Sequence, residues 1–179
     1  MDVEEANQKK PTSYDYPNQG AFLTPSADPY GRVRLASADD VLPCKRIADA
    51  DRAIFGFLTR ALFADAAAHS RLFVVEMGST GVTGFLRFNH RRRGDETALY
   101  DIGVDAAARR QGLGRALIEA LKDDCRRLGR RTIVLRCPEG AESNDFYARL
   151  GFWRVAVEPG RKRPLVVWQL PIHPLQCSS

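Results

Sequence analysis

Apolar positions along this chain follow two rhythms, and the switches between them mark its elements. Residues 33–35 form a short alternating run, and Ser37 or Asp39 can cap the helix after it. Residues 40–50 and 52–68 carry apolar side chains at helical spacing. In the second stretch Ile54, Phe57, Leu58, Ala61 and Leu62 fall on one predicted face. Extended runs at 72–76 and 82–89, joined across Gly78, Ser79, Thr80 and Gly81, predict a hairpin. A charged turn at 90–96 leads to a further strand at 97–104. Residues 113–128 return to the helical period, with Leu113, Ala116, Leu117, Ala120, Leu121 and Leu128 on the predicted buried face and Gly129 at the stop. A strand at 132–137, a short helix at 142–150 and two strands at 152–157 and 165–170 complete the pattern. A basic turn at 159–164 joins the last two.

The resulting order is β-α-α-β-β-β-α-β-α-β-β. Hairpin-linked strands that lead into a β-α-β unit predict an α/β (α+β) fold, with a mixed, mostly antiparallel sheet and helices on both faces. The boundaries fall at a flexible arm over 1–31, one domain over 32–171 and a tail over 172–179. The arm is rich in Pro, Asn, Gln and Ser and lacks a sustained apolar period.

The junction of the 97–104 strand with the 113–128 helix carries the densest chemistry. It reads Arg109, Arg110, Gln111, Gly112, Leu113, Gly114, Arg115, Ala116. Glycines permit a tight turn, and the helix start directs free N–H groups and a positive dipole end at the same spot. With arginines around it, this is a cradle for a pyrophosphate. The spacing matches neither the Rossmann nor the P-loop fingerprint.

The segment resembles the acyl-coenzyme A loop of the GNAT superfamily of N-acyltransferases, [RQ]-x-x-G-x-[GA], through Arg109, Gly112 and Gly114. A second stretch, Asn144, Asp145, Phe146, Tyr147 and on to Gly151 and Phe152, is similar to the N-x-x-F-Y-x-x-x-G-F segment of that fold. The resemblance covers roughly residues 32–170. It implies that the strands at 97–104 and 132–137 splay apart to admit the pantetheine arm of acetyl-CoA. It also implies main-chain contacts to that arm from Ile102, Gly103 and Val104, and a contact from Asn144, which reads equally well as a helix cap. A bulge is implied at Gly103. The proline common before the arginine loop is absent, and Asp105, Ala106, Ala107 and Ala108 take its place, which predicts a less rigid turn. Homodimers are common in the resembling family.

Composition adds less. The chain has 179 residues, 44 % hydrophobic and 27 % charged, as expected for one ordinary soluble domain. Nothing approaches the roughly 18 apolar residues of a membrane span, and the acidic start is no signal peptide. Cys44, Cys125, Cys137 and Cys177 are widely spaced, which points to reduced thiols in a cytoplasmic protein, the first three of them core fillers. No His, Cys, Asp or Glu spacing suggests a metal. The net charge of +5 gathers in arginine clusters, including Arg161 and Arg163 around Lys162. Such clusters are solvated faces or an attraction for an anionic partner, nucleic acid included.

For acyl transfer to an amine, Tyr147 is the candidate general acid, because a phenol titrates near a thiol leaving group. Asp101 interrupts an apolar strand just before the cradle and is the candidate base or amine anchor. Glu96 and Glu76 rank below it. His90 is expected in a solvated turn. The predicted function is an acetyl-CoA-dependent N-acetyltransferase that acts on a primary amine by direct attack. The alternatives are a non-catalytic domain that binds nucleic acid or protein through arginine faces, and an enzyme that modifies a nucleobase amine. The acceptor side, at 40–68 and 158–164, carries no legible substrate motif.

Overall fold

A computed structural model describes residues 31–173. Residues 1–30 and 174–179, with Cys177 and most of the arm expected over 1–31 and of the tail expected over 172–179, lie outside them. The strands are β1 (Arg32–Leu35), β2 (Leu72–Glu76), β3 (Val82–His90), β4 (Glu96–Val104), β5 (Thr132–Pro138), β6 (Trp153–Glu158) and β7 (Leu165–Pro171). The helices are α1 (Val41–Ala50), α2 (Arg52–Phe55), α3 (Arg60–Ala68), α4 (Leu113–Arg127) and α5 (Ser143–Arg149). They form one seven-stranded sheet in the order β1-β2-β3-β4-β5-β7-β6. Short turns make most neighbours antiparallel. The crossover through α4 makes β4 and β5 parallel.

Two cores lie on opposite faces of this sheet. On one face α4 and α5 cover Leu86, Phe88, Leu99 and Ile133, and α4 contributes Leu113, Leu117, Ile118, Leu121 and Cys125. Ile172 also packs into this core. Leu128 does not, and is 39 % exposed. It sits past the last helical turn as the C-cap, where the period no longer governs direction. On the other face α1 and α3 pack Ile47, Phe63 and Ala66 against Val74 and Phe85. Cys44, Cys125 and Cys137 are buried and free.

The predicted helix over 52–68 is two helices. The chain breaks after Phe55 at Gly56 (φ 65°), and Thr59 restarts it by accepting a hydrogen bond from the Leu62 N–H at 3.2 Å. The register resets across this gap. Phe63 and Ala66 therefore face inward, while Ile54 and Phe57 are 64 % and 72 % exposed. A helical period was present on both sides, but its phase was not continuous.

His90 is likewise not in a solvated turn. It ends β3 opposite Thr97, with Nδ1 2.8 Å from Thr97 Oγ1 and Nε2 2.9 Å from Asp124 Oδ2. The ladder runs further toward the turn than the charge pattern suggested.

The bulge in β4 lies at Tyr100 rather than Gly103. Arg87 pairs with Asp101 and Phe88 with Leu99, which leaves Tyr100 as the extra residue. Gly103 is glycine for space. A Cβ there would lie 2.7 Å from Phe85 Cε1 and 3.0 Å from Phe55 Cζ. Gly103→Ala is expected to destabilise the protein by about 2 kcal/mol through overpacking, read by urea unfolding.

Beside the bulge the sheet opens. β4 and β5 pair only at Glu96 with Thr132, Thr97 with Ile133 and Ala98 with Val134. A bulge bends its strand and increases the local twist. Past Ala98, β4 runs on to Val104 without β5 as a partner, while β5 stays paired with β7 as far as Pro138. The expected split between the central strands is therefore present.

Candidate active site

The cradle begins where β4 ends. Asp105 replaces the missing proline with a cap: its Oδ1 accepts from the Ala107 N–H at 3.1 Å, and its own N–H donates to Thr83 O at 2.8 Å. The turn over Ala106–Ala108 is thus anchored at both ends of Asp105 rather than loosened. The chain then alternates. Arg109 is extended, Arg110 has φ 65° and Gly112 has φ 84° as the residue before α4. Left-handed backbone of this kind turns successive N–H groups to one side, and it is cheap only at glycine.

The outcome is a run of unanswered donors. Among the described residues, the N–H groups of Arg110, Gln111, Gly112, Leu113, Gly114 and Arg115 have no acceptor, and the first intrahelical bond goes from Ala116 N–H to Gly112 O at 3.0 Å. No acidic side chain lies in the first turn of α4. An anion with several oxygens suits this run of donors, through hydrogen bonds and the helix dipole together. Gly114 has a separate steric reason. A Cβ there would sit 3.1 Å from Phe146 Cζ, so α4 and α5 approach each other at this point.

Arg109 is exposed but held in place. Its Nε donates to Val104 O at 3.1 Å and its guanidinium pairs with Asp51 at the end of α1. These residues line a cleft of about 330 Å³ that also includes Arg46 and Ala106. Nothing in the sequence near Asp51 pointed to this pairing.

Tyr147 belongs to the core on the α4 face, with its ring edge-on to Phe146 and Phe152 at 5.4 and 5.6 Å. Its hydroxyl has no hydrogen-bond partner among the described residues. Burial pushes the phenol well above its ordinary value, and the nearby Cys137 and Asp101 push it the same way. Asp101 lies on the opposite face. Cross-strand neighbours share a face, and Asp101 is paired with Arg87, whose Nε donates to Asp101 Oδ2 at 2.7 Å. Burial raises the Asp101 carboxyl, and Arg87 opposes that rise. Arg87 was missed, although a charge between Leu86 and Phe88 is the same signal that exposed Asp101.

Ile102 and Val104 pack toward the α4 face, and Gly103 faces Phe85 on the other. All three lie on the stretch of β4 that β5 leaves unpaired. Asn144 is occupied by local structure. Its amide donates to Pro138 O and Ala141 O at 3.0 and 2.9 Å, and its oxygen accepts from Trp168 Nε1 at 2.9 Å. Asn144→Ala is expected to cost about 2 kcal/mol in stability by orphaning these partners, with at most a small change in acetyl-CoA affinity. Urea unfolding beside calorimetric titration checks both.

The acetyltransferase (GNAT) family pattern matches residues 41–152. The chain belongs to this family. It is an N-acetyltransferase. The transferase is 30 % identical over 121 residues to the 5-NmdU N-acetyltransferase of Pseudomonas phage PaMx11, a match that covers 67 % of this chain and 85 % of that one. It is 42 % identical over 59 residues to the ribosomal protein bS18-alanine N-acetyltransferase of Escherichia coli K12, covering 32 % of this chain and only 40 % of the relative. The fold of yncA from Salmonella typhimurium, solved with acetyl-CoA, superimposes with a TM-score of 0.65 at 22 % identity, covering 83 % of this chain and 98 % of that one. Among the described residues of the transferase, no helix is long and apolar enough to cross a membrane.

Proposed function

We propose that the transferase moves the acetyl group of acetyl-CoA to a primary amine carried on a nucleobase, by direct attack with both substrates bound. The observation that carries the co-substrate is the run of unanswered N–H donors from Arg110 to Arg115 beside the open edge of β4. The donors suit the diphosphate, with Arg110 and Arg115 alongside. The backbone of Ile102, Gly103 and Val104 suits the amides of the pantetheine arm. Asn144 acts here by holding α5 against β7.

The chemistry divides between the two faces of the split. Asp101, steadied by Arg87, receives the amine on one side and accepts a proton from it, directly or through water. The amine nitrogen then bonds to the thioester carbon as the carbon–sulfur bond breaks, and the nitrogen releases its second proton to solvent. Tyr147, on the other side, donates its hydroxyl proton toward the departing sulfur and is reprotonated from solvent. Its raised pKa keeps it a donor throughout the neutral range. Much of the rate comes from holding both substrates in line.

The nucleobase acceptor is drawn from the phage relative, whose match spans most of that protein. Release of free thiol from acetyl-CoA, monitored with 5-NmdU and with an alanine-terminated peptide, separates the acceptors. Turnover of 5-NmdU is expected to exceed that of the peptide by at least about tenfold in kcat/KM, a difference of about 1.4 kcal/mol. No acetyl-CoA binding by calorimetry, or a preference for the peptide, would sink the reading.

A further inference from the structure

The helices on the acceptor side cover only half of the sheet. α1 and α3 pack on β2, β3 and β4, and among the described residues the same face of β5, β7 and β6 carries no helix. Residues that point from this half-sheet are fixed by register; Trp153, Arg136 and Ala156 among them are exposed, while Val134 and Val167 are buried. Ala98, Val134, Gln169 and Trp153 are successive cross-strand partners and share that face, as do Arg136, Val167 and Ala156 one row along. The face belongs to Asp101 as well, since Asp101 pairs with Arg87, and Arg87 points away from the α4 core that holds Leu86 and Phe88.

Two flat rings stand exposed on it. Trp153 is 67 % exposed and, among the described residues, has no ring or cation against it. Tyr100 is 51 % exposed, with the Arg87 guanidinium 4.7 Å from its ring and the bulge directing it outward beside Asp101. Three strand spacings separate the rows of Ala98 and Trp153, a lateral step of about 14 Å.

The positive charge sits at the reactive end. Leu165 of β7 pairs with both Pro138 and Glu158, so the turn between β6 and β7 lies at the mouth of the split. That turn carries Arg161, Lys162 and Arg163, all exposed and without a partner among the described residues. The other charges on the face are matched: Arg136 donates to Glu158 at 2.6 and 3.0 Å, and Arg87 neutralises Asp101.

We propose that this open half-sheet docks a single-stranded nucleic acid, with bases stacked on Trp153 and Tyr100 and the backbone phosphates drawn to Arg161, Lys162 and Arg163. The inference deepens the nucleobase reading and rests on it: the acceptor amine then reaches Asp101 as part of a strand. Exposed aromatic rings with unpaired cations at one end of the same half-sheet are what a strand's bases and phosphates require. An acidic peptide would use the cations and leave both rings in water. A duplex would keep its bases stacked and its amine away from the split.

Fluorescently labelled oligo-dT, titrated with the full chain by anisotropy at several salt concentrations, tests the surface. Wild type is expected to bind with a log–log salt slope near −2, about 0.7 for each of the three cations. The triple variant Arg161→Ala, Lys162→Ala, Arg163→Ala is expected to flatten that slope. Trp153→Ala is expected to weaken binding about tenfold, with Trp153→Phe recovering most of it. The chain has two tryptophans, and the other, Trp168, is buried, so quenching of intrinsic emission by the strand should vanish in Trp153→Phe. Absence of binding at low salt, equal binding in all variants, or equal competition by polyglutamate overturns the proposal. So does a free protein whose Trp153 is already shielded from acrylamide by a second copy. Activity separates the two claims. Failure to acetylate 5-NmdU, free or within an oligonucleotide, together with Trp153-dependent strand binding, overturns the acceptor and keeps the surface. Acetylation of the free nucleoside without Trp153-dependent binding does the reverse.

Discussion

Tyr147→Phe is expected to lower kcat about 100-fold while the Michaelis constant for acetyl-CoA stays within a small factor. The substitution removes one oxygen from a ring that two aromatic neighbours hold in place. That oxygen has no hydrogen-bond partner among the described residues, so its loss orphans no group and stability should barely change. Activity and stability thus separate cleanly. The pH profile gives a second check. Burial raises the phenol above the value of 10.0 usual for tyrosine, so the neutral, proton-bearing form persists to higher pH. Wild type should show no alkaline loss assignable to this group below about pH 10. A loss of less than about threefold in Tyr147→Phe, measured by thiol release, would remove the tyrosine from the mechanism.

Asp101→Asn should lower kcat/KM for the amine by about 100-fold, because the amide neither takes a proton nor pairs with an ammonium. Arg87→Met tests whether the neighbour acts through that carboxylate. The working form of Asp101 is ionised, so activity falls as pH drops through its pKa. Burial lifts that pKa above the usual 3.8, and Arg87 pulls against the lift. Without Arg87 the opposing pull is gone, and the acid limb of the profile should move to higher pH. Arg87→Lys keeps the charge but loses the fork, and should fall between the two. Arg87→Met also leaves a carboxylate unpaired in a partly buried site at a cost of about 3 kcal/mol, so the profile belongs on protein shown to be folded at the assay temperature. An acid limb that stays in place assigns Arg87 a purely structural role.

The parts of the site that were legible share a feature: each is encoded within a few consecutive residues. The cradle is a turn and the first turn of a helix, and Gly112 adopts its left-handed backbone where the pattern required one. Asp101 is visible because a carboxylate inside an apolar strand is costly without a partner. The misread features have longer-range causes. The helix at 52–68 was broken by a phase reset that no local period reveals, and two large side chains moved from the expected core to the surface. The bulge was placed at Gly103 from its residue type. Its position at Tyr100 is set by how β3 and β4 align over their whole length.

By itself the sequence determined the order of the strands along the chain, the glycine turn before α4 and the identity of the two candidate proton carriers. Backbone preference and hydrophobic period act within a few residues, and those features need nothing more. The tertiary structure alone decided which partner each functional side chain meets. Arg87 meets Asp101 at a separation of 14 residues, Asn144 meets Trp168 at 24, and Arg109 meets Asp51 at 58. It also decided that β4 and β5 part after Ala98, and that Trp153 and Tyr100 both stand exposed. Those facts depend on strand register and on which half of a sheet the helices reach. Both are settled only when distant segments pack together, because shifting a strand by one residue turns every side chain to the other face.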